Sequence, residues 1–419
     1  MLGWQRLVAV SILLAFALFI ATPAEAQQKK RKKNAAASSQ AATPRANGLQ
    51  AEARLLQIYQ LIGQSKTRDA LKLADKLVAD HPNFSLAQLV HGDLLMAQTQ
   101  PLRALGDVPE ATVRAAPGML TDLREESLLR IRALREKPAA GLQPSNFVRL
   151  SARNQHAIAV DASRARLYLF ENTPQGLKLV ADYYASVGKM GVEKNVEGDL
   201  KTPLGIYYVT NTLDPNSLKD LYGAGALPIN YPNPYDMRRG KTGSGIWLHG
   251  VPQAQFARAP KATDGCVAIS NPDLQDLLKR VEIRTTPVVI LPKLEWINPA
   301  QSNADVAAFD RAFASWRSAK AAGDLARSME HYSPDFDSYG KKLADWQGVI
   351  NREISQKRIS VLKDVAVLHW AESASNATMV ITFSEVPKGA VSGPTKRQYW
   401  LRSAATSNQW KIFFEGIIG

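Results

Sequence analysis

The chain has 419 residues, with 52 Lys and Arg, 38 Asp and Glu, and a single cysteine. At roughly 100–200 residues per domain, this length predicts two to four domains. The hydrophobic content of 45% is enough to bury a core and argues against wholesale disorder. One cysteine excludes an intramolecular disulfide and any multi-cysteine zinc or iron–sulfur site, and we expect neither a metal nor a cofactor.

The net charge of +14 raises the question of a nucleic-acid-binding protein. Residues 27–50 alone carry +6, which is almost half of the excess. No segment of globular composition is basic enough to predict a nucleic-acid surface. The charge therefore gives little information about the substrate.

The N-terminus has the plan of a secretory signal peptide over residues 1–26. An apolar run extends from Leu7 to Ala21, and a small-x-small cleavage site follows at Ala24-Glu25-Ala26. We expect cleavage after Ala26 and a periplasmic protein; the alternative, an uncleaved anchor, needs about 20 apolar residues to span a bilayer. Residues 27–50 are interpreted as a basic disordered linker, either touching an anionic membrane surface or simply solvated.

Helical periodicity extends from residue 51 to 137, where Leu55, Ile58 and Leu61 mark one face. We expect an all-α region here. The stretch from Asp69 to Pro82 is weakly similar to a tetratricopeptide helix, but about one and a half units are too few for a stable array. A plain helical packing domain is the preferred interpretation.

The apolar period changes to two after residue 151, which predicts a mostly β domain over residues 151–293. The segment HAIAVDASRARLYLFE, residues 156–171, predicts a β-hairpin. A helix fits Pro272–Arg280, with Asn271 as its N-cap. The loop between Leu213 and Thr242 is too long to be a mere connection, and loops of that length usually carry function.

One histidine and the only cysteine form a candidate catalytic pair. His249 closes a predicted strand in GSGIWLHGVP, and Cys266 follows Gly265 in TDGCVAIS. A thiol of pKa ~8.5 is mostly protonated at pH 7, and an adjacent imidazole can take its proton to give an ion pair. Backbone N–H groups at residues 265–266 would then face a developing oxyanion. The spacing alone leaves a buried inert thiol and an unrelated histidine equally open.

The same two segments resemble the signature of the YkuD-type L,D-transpeptidases. The upstream segment GDLKTPLGIYYVTN is similar to the Thr-Pro-x-Gly strand of that family, and the resemblance covers about residues 154–293. It implies a periplasmic enzyme acting on peptidoglycan stem peptides. It also implies Cys266 as nucleophile, His249 as proton acceptor and later donor, and Gly250 as the carbonyl that orients the histidine.

Two positions depart from the family pattern. Asp264 stands where many relatives have histidine, and Ala268 where many have Arg or Asn, so the contacts around the thiol are expected to differ. Thr263 and Asp264 are candidate substrate-binding residues. Basic residues that flank the pair could bind stem-peptide carboxylates or be ordinary solvated charges: Arg238, Arg239, Lys241, Arg258 and Lys261.

Residues 305–418 resemble the α+β cone fold of nuclear-transport-factor-2-like and SnoaL-like domains. The matching stretches are FDRAFASWRSAKAAGD, MEHYSPDF and QWKIFFE. We expect binding or dimerisation from this domain rather than catalysis. Five aromatic residues either line a ligand cavity or form the core: Trp316, Tyr332, Phe336, Trp346 and Trp400.

Three functions are carried forward from the sequence. The first is a transpeptidase that forms 3–3 crosslinks or attaches a protein to the wall through a cysteine acyl-enzyme. The second is a hydrolase of the same family that cleaves 3–3 crosslinks or releases wall-bound protein. The third is a non-catalytic peptidoglycan-binding scaffold. The acceptor and the oligomeric state stay open.

Overall fold

The computed structural model of the chain describes residues 45–115, 117–301, 303–356 and 360–418. The expected signal peptide and most of the basic linker lie outside these ranges. The first helix runs from Arg45 to Gly63, so the helical region begins inside the segment interpreted as linker. Among the helices of the described ranges, none combines the length and apolar character needed to cross a bilayer.

The N-terminal region is all-α, as predicted. Its helices are α1 (Arg45–Gly63), α2 (Thr67–Asp80), α3 (Ser85–Met96), α4 (Glu110–Ala115) and α5 (Met119–Arg135). In α2, Ala70, Ala74 and Leu77 are buried at helical spacing against Leu55 and Ile58 of α1 and their neighbours. The helix ends at Asp80 because Pro82 cannot continue the hydrogen-bond ladder.

The central domain is built on a nine-stranded mixed sheet. Its strands are β3 (His156–Asp161), β4 (Arg166–Thr173), β5 (Gly176–Gly188), β6 (Gly205–Tyr208), β7 (Ala226–Pro228), β8 (Trp247–His249), β9 (Lys261–Thr263), β10 (Val267–Ile269) and β11 (Pro287–Leu291). The order across the sheet is β6-β11-β3-β4-β5-β10-β8-β7, and β9 pairs with β5. The hairpin predicted for residues 156–171 is confirmed as β3 and β4.

Two helices complete the central domain, α6 (Pro234–Arg238) and α7 (Asn271–Leu278). The N-cap of α7 is Ser270, whose hydroxyl accepts from the Asp273 N–H, so the prediction of Asn271 as cap was wrong by one residue. The loop after Leu213 is not irregular throughout, because it contains both β7 and α6.

The C-terminal domain has α+β content, as predicted. Its helices are α8 (Ala304–Ala322), α9 (Leu325–Met329) and α10 (Leu343–Ser355). Its strands are the short pair β13 (Asp337–Ser338) and β14 (Lys341–Lys342), and the long β15 (Ser360–Ser373), β16 (Asn376–Pro387), β17 (Thr395–Arg402) and β18 (Lys411–Ile417). The long strands form a sheet in the order β18-β17-β16-β15, and a fifth strand pairs with β15 at its edge.

The fifth strand of that sheet comes from upstream of the central domain. Strand β2 (Phe147–Arg149) pairs with β15, and the adjacent β1 (Gln143–Pro144) pairs with β12 (Trp296–Ile297). The chain therefore passes through the C-terminal sheet before it enters the central domain and returns to it afterwards.

Both faces of the C-terminal sheet are buried, and its strands alternate between two cores. On one face Met379, Ile381 and Trp400 pack with α8 and α10. On the other face Tyr399 and Leu401 join the core of the central domain. The five aromatics named above all belong to the inner core, with exposures of 9% or less, which supports a packing role.

Candidate active site

The register of two adjacent parallel strands brings His249 and Cys266 together. Ala268 of β10 pairs with His249 of β8, and Cys266 precedes Ala268 by two residues. Since side chains alternate along a strand, Cys266 projects from the same sheet face as His249. Strands about 4.8 Å apart and a two-residue offset of about 6.6 Å put the two Cα atoms roughly 8 Å apart, within reach of a thiol and an imidazole.

The turn that carries the thiol requires glycine at position 265. Gly265 has φ of +129°, and a Cβ there would meet the Lys201 carbonyl oxygen at 2.8 Å. The hydroxyl of Thr263 donates to the Cys266 carbonyl at 2.6 Å and accepts from the Gly265 N–H at 3.2 Å. Thr263 is buried, so its hydroxyl stabilises the turn and is not placed to contact a substrate.

A backbone carbonyl fixes the tautomer of His249. Its Nδ1 lies 2.6 Å from the Gly250 carbonyl oxygen. Because a carbonyl can only accept, the proton is on Nδ1 and the lone pair is on Nε2. The Tyr222 ring contacts the imidazole edge to face, with centroids 5.1 Å apart. The ring is thus held in the form that can accept a proton from the thiol.

Asn271 organises the loop that supplies this carbonyl. Its Oδ1 accepts from the backbone N–H groups of Ala224 (2.9 Å) and Val251 (3.1 Å), and its Nδ2 donates to the Val251 carbonyl (2.8 Å). A Cβ at Gly250 would lie 2.2 Å from the same Oδ1, so no larger residue fits there. The side chain expected to cap α7 therefore joins the histidine loop to the loop of Tyr222.

The electrostatics of the pair differ from the expected ion pair. Burial lowers the pKa of His249 to about 4, against a smaller opposing effect of the Gly250 carbonyl. Burial also raises the pKa of the Cys266 thiol, although the Trp247 N–H and the Arg258 guanidinium favour the thiolate. The thiol Sγ donates to the Gly245 carbonyl at 3.5 Å. The resting pair at neutral pH is a thiol beside a neutral imidazole.

Comparison with known families matches two parts of the chain. Residues 155–290 match the YkuD family, an L,D-transpeptidase catalytic domain. The central domain is a YkuD domain. Residues 308–416 match the C-terminal NTF2-like domain of Cds6, and both predicted resemblances are confirmed. A comparison with curated proteins gives no match.

Solved structures with a similar fold cover between 65% and 74% of the chain. The structure of Bdellovibrio bacteriovorus Bd1075 is 26% identical with a TM-score of 0.53, covering 66% of this chain and 98% of that one. The helical cell shape determining protein Pgp2 from Campylobacter jejuni is 22% identical with a TM-score of 0.52, covering 65% of this chain and 96% of Pgp2. The K307A mutant of Pgp2 is 20% identical with a TM-score of 0.50, covering 74% of this chain and 100% of the mutant.

Arg258 is the basic residue that the YkuD domain brings to the thiol. Its guanidinium donates to the carbonyls of Ala262 (3.3 Å) and Leu221 (3.5 Å), and within the described part of the chain its Nε has no partner. Burial lowers its pKa, and Asp264 and Cys266 oppose that effect. Arg258 also lines a cavity of about 470 Å³ between the helical region and the YkuD domain, opposite Leu123.

Other predicted site residues have partners of their own. Arg238 pairs with Asp335 and Arg239 with Glu372, so both join the YkuD domain to the NTF2-like domain and do not face the pair. Exposed Asp264 binds Lys189 at 2.9 Å and links the turn to the neighbouring loop. The remaining two basic candidates are also paired, Lys241 with Asp236 at 3.9 Å and Lys261 with Glu125 at 3.8 Å.

Sequence reasoning missed several residues that build the site. Tyr222 and Asn271 act through contacts with residues far away in the sequence, and no spacing rule indicates them. Buried Lys194 donates to Asp199 at 2.8 Å and favours the thiolate through its charge. Thr202 of the Thr-Pro-x-Gly segment accepts from the Gly188 N–H at 2.9 Å, a role that the motif alone does not reveal. In the described ranges no cluster of His, Cys, Asp or Glu is placed to hold a metal ion.

Proposed function

We propose that the protein is an L,D-transpeptidase that acts on peptidoglycan stem peptides through an acyl-enzyme on Cys266. One observation carries the proposal. The only thiol and a buried imidazole share one face of adjacent strands, and the Gly250 carbonyl leaves Nε2 of His249 free to accept a proton. This arrangement lies in a domain that matches the L,D-transpeptidase family.

The first half-reaction forms a thioester and releases an amine. Nε2 of His249 takes the thiol proton as Sγ of Cys266 attacks the carbonyl carbon of the third stem residue. The imidazolium then protonates the leaving nitrogen of D-Ala as the peptide bond breaks. Because the Gly265 N–H donates to Thr263, the Cys266 N–H, which has no acceptor among the described residues, is the candidate oxyanion donor.

The second half-reaction transfers the acyl group to an acceptor amine. An amine of another stem, or of a protein to be anchored, attacks the thioester while the neutral His249 takes its proton. The thiolate leaves and is reprotonated by the imidazolium. The product is a 3–3 crosslink or a wall-bound protein, and the enzyme returns to its neutral pair.

Arg258 is the candidate contact for a substrate carboxylate. It bears the unpaired charge nearest to Cys266 among the five basic candidates, since the other four form ion pairs. A leaving D-Ala has its carboxylate a few bonds from the scissile carbonyl, and a guanidinium can bind that group with two parallel hydrogen bonds. Arg258 would therefore select donors with a free terminal carboxylate.

Hydrolysis of the same acyl-enzyme is a second candidate, favoured by the loop that packs on the histidine. The Tyr222 ring covers the imidazole, and the Gly250 N–H donates to the Tyr222 carbonyl at 3.1 Å. A narrow entrance on this side would admit water more readily than a second stem. Water would then release the third residue as a free acid, from a terminal position or from a 3–3 crosslink.

Incubation of the purified protein with sacculi, followed by mass spectrometry of the muropeptides, tests both candidates. New 3–3 dimers indicate transfer, whereas loss of terminal D-Ala or of existing 3–3 dimers indicates hydrolysis. Cys266→Ala should abolish either change, and His249→Gln should reduce it strongly. Sacculus binding without any product from the wild-type protein would favour the non-catalytic scaffold instead.

A further inference from the structure

A second cavity, of about 210 Å³, lies at the seam between the YkuD domain and the NTF2-like domain. One wall comes from residues 151–154 and 283–285 of the YkuD domain, and the other from β15, β16 and β17. Its polar lining includes Arg153, Arg284, Asp364, Thr382, Thr395 and Arg397. None of the active-site residues lines this cavity.

Three arginines surround this cavity, and none of them forms an ion pair within the described residues. Arg153 and Arg284 are exposed at the rim, whereas Arg397 is only 7% exposed. The guanidinium of arginine carries a permanent positive charge in proteins. Buried charges in proteins are usually paired, so we expect an anion to bind close to the guanidinium of Arg397.

Hydroxyl groups and an aromatic ring hold these guanidinium groups in place. Nε of Arg397 donates to the Thr382 hydroxyl at 2.9 Å, and its Cζ lies 3.3 Å from the centroid of the Tyr208 ring. Nη1 of Arg153 donates to the Thr395 hydroxyl at 3.0 Å. Each guanidinium has five N–H groups, so these contacts leave most donors of the cluster available.

The charge of the lining selects the class of ligand. Three guanidinium groups and the single lining carboxylate, Asp364, give the cavity a charge of +2. A phosphate group carries about −1.5 to −2 at pH 7 and has three acceptor oxygens, whereas one carboxylate brings −1. The volume is below the roughly 300–1,000 Å³ of sites for drug-sized ligands, which favours a small anionic group over a peptide.

We propose that this cavity binds a phosphate group, either as the free ion or as a monoester of a larger molecule. The ligand would join the two domains, since Arg153 and Arg284 belong to one side and Arg397 to the other. Binding there would strengthen the docking of the NTF2-like domain without any contact to Cys266. The proposal does not depend on the acyl-enzyme chemistry.

Thermal unfolding and titration calorimetry of the full chain test this site with two probes, inorganic phosphate and glycerol phosphate. Sodium chloride keeps the ionic strength constant. The test variant is Arg153→Gln/Arg284→Gln, which changes only exposed residues and leaves the buried Arg397 in place. The matched control is Arg311→Gln/Arg317→Gln, which removes two exposed and unpaired arginines from α8.

We expect saturable binding and a rise in Tm for the wild-type and control proteins, and at least a tenfold weaker affinity for the test variant. Tighter binding of inorganic phosphate indicates the free ion, and tighter binding of glycerol phosphate indicates an esterified source. The proposal is overturned if neither probe binds the wild-type protein saturably, or if the test variant and the control bind equally well. The Tm of each variant without probe reports whether it is folded.

Discussion

The YkuD domain packs against a neighbour on two sides, and arginine has a different role at each. Towards the helical region, Arg166 and Arg130 are buried and share the carboxylate of Glu52 at 2.7 and 2.8 Å. Towards the NTF2-like domain, Arg153, Arg284 and Arg397 surround a cavity without a carboxylate partner. The Glu52 network is electrostatically compensated, whereas this arginine cluster is not, although two ion pairs, Arg238–Asp335 and Arg239–Glu372, lie elsewhere at the same interface.

The difference separates structural charges from charges available to a ligand. Burial alone would raise the pKa of Glu52, but Arg166 and Arg130 outweigh it and lower the pKa to about 2. Such a network fixes the helical region on β4 and leaves nothing for a ligand to neutralise. Arg258 and the seam arginines lack this compensation, which is why we assign ligands to them.

The largest expected effect follows from breaking the Glu52 network. Glu52→Gln removes the carboxylate that Arg166 and Arg130 share, while Arg166 keeps Asp182 and Arg130 keeps Glu126. Removing one partner of a buried ion pair costs up to roughly 3–5 kcal/mol. Denaturant unfolding measures this change. The control is Glu125→Gln at the same interface, where the pair with Lys261 is exposed and we expect less than about 1 kcal/mol.

The pH dependence of the same interface gives an independent check. The ordinary pKa of 4.5 for Glu52 and the folded value of about 2 correspond to ~3 kcal/mol, at 1.36 kcal/mol per pKa unit. Because the folded pKa is the lower one, this stabilisation is complete above pH 4.5 and is lost as the pH falls towards 2. If wild-type and Glu52→Gln proteins lose stability in parallel over this range, the network is not the cause.

Arg258 is expected to affect catalysis rather than folding. Arg258→Gln should raise KM more than it lowers kcat for a stem tetrapeptide, and should reduce kcat/KM about 10–100-fold, since hydrogen bonds to charged groups contribute ~1.5–3 kcal/mol. A tetrapeptide with an amidated terminus should be a poor substrate of the wild-type protein and be no worse for the variant. If Arg258→Gln lowers kcat/KM equally for both peptides, Arg258 stabilises the loop and does not bind the carboxylate. The matched control is Lys261→Gln.

The neutral catalytic pair predicts an unusual pH profile. With a pKa of about 4, His249 is about 90% neutral at pH 5, against about 3% for an ordinary value of 6.5. The acid limb of kcat/KM should therefore lie near pH 4. Because Cys266 is the only cysteine, its alkylation by iodoacetamide reports one thiol. Burial raises the pKa of this thiol, so the rate should increase with pH through the neutral range without levelling off. An alkylation plateau below pH 7 would instead indicate a preformed ion pair.

The sequence predicts those helices and strands whose formation depends on the local spacing of apolar residues. The hairpin of residues 156–171 and the helix α2 follow directly from periods of two and 3.6. Helix α10 was missed, because only Trp346 and Ile350 of its residues are buried and its apolar face is short. The cap of α7 was misplaced because Ser270 and Asn271 are both good N-cap residues, and only the contacts of Asn271 with Val251 decide between them.

The sequence indicates which residues form the candidate site, but it does not indicate which of the nearby charges are compensated. Cys266, His249 and Gly250 belong to one motif, whereas charge compensation depends on pairs far apart in the chain. Glu52 lies 114 residues from Arg166 and 78 from Arg130. Arg238 and Arg258 are equally basic in the sequence, yet Asp335 neutralises the first and no described carboxylate pairs with the second. The sequence alone therefore could not rank the five basic candidates.

The smallest effect is expected for an exposed ion pair at the NTF2-like interface. Arg149 lies 3.1 Å from Asp310, and both side chains are nearly half exposed. Arg149→Gln should change the free energy of unfolding by less than about 1 kcal/mol, and added salt should abolish even that change because it screens exposed charges. The effect of Glu52→Gln should persist at the same salt concentration, since its network is buried. A large, salt-resistant effect of Arg149→Gln would mean that this exposed pair stabilises the protein as strongly as the buried Glu52 network, and that burial does not decide the strength of these ion pairs.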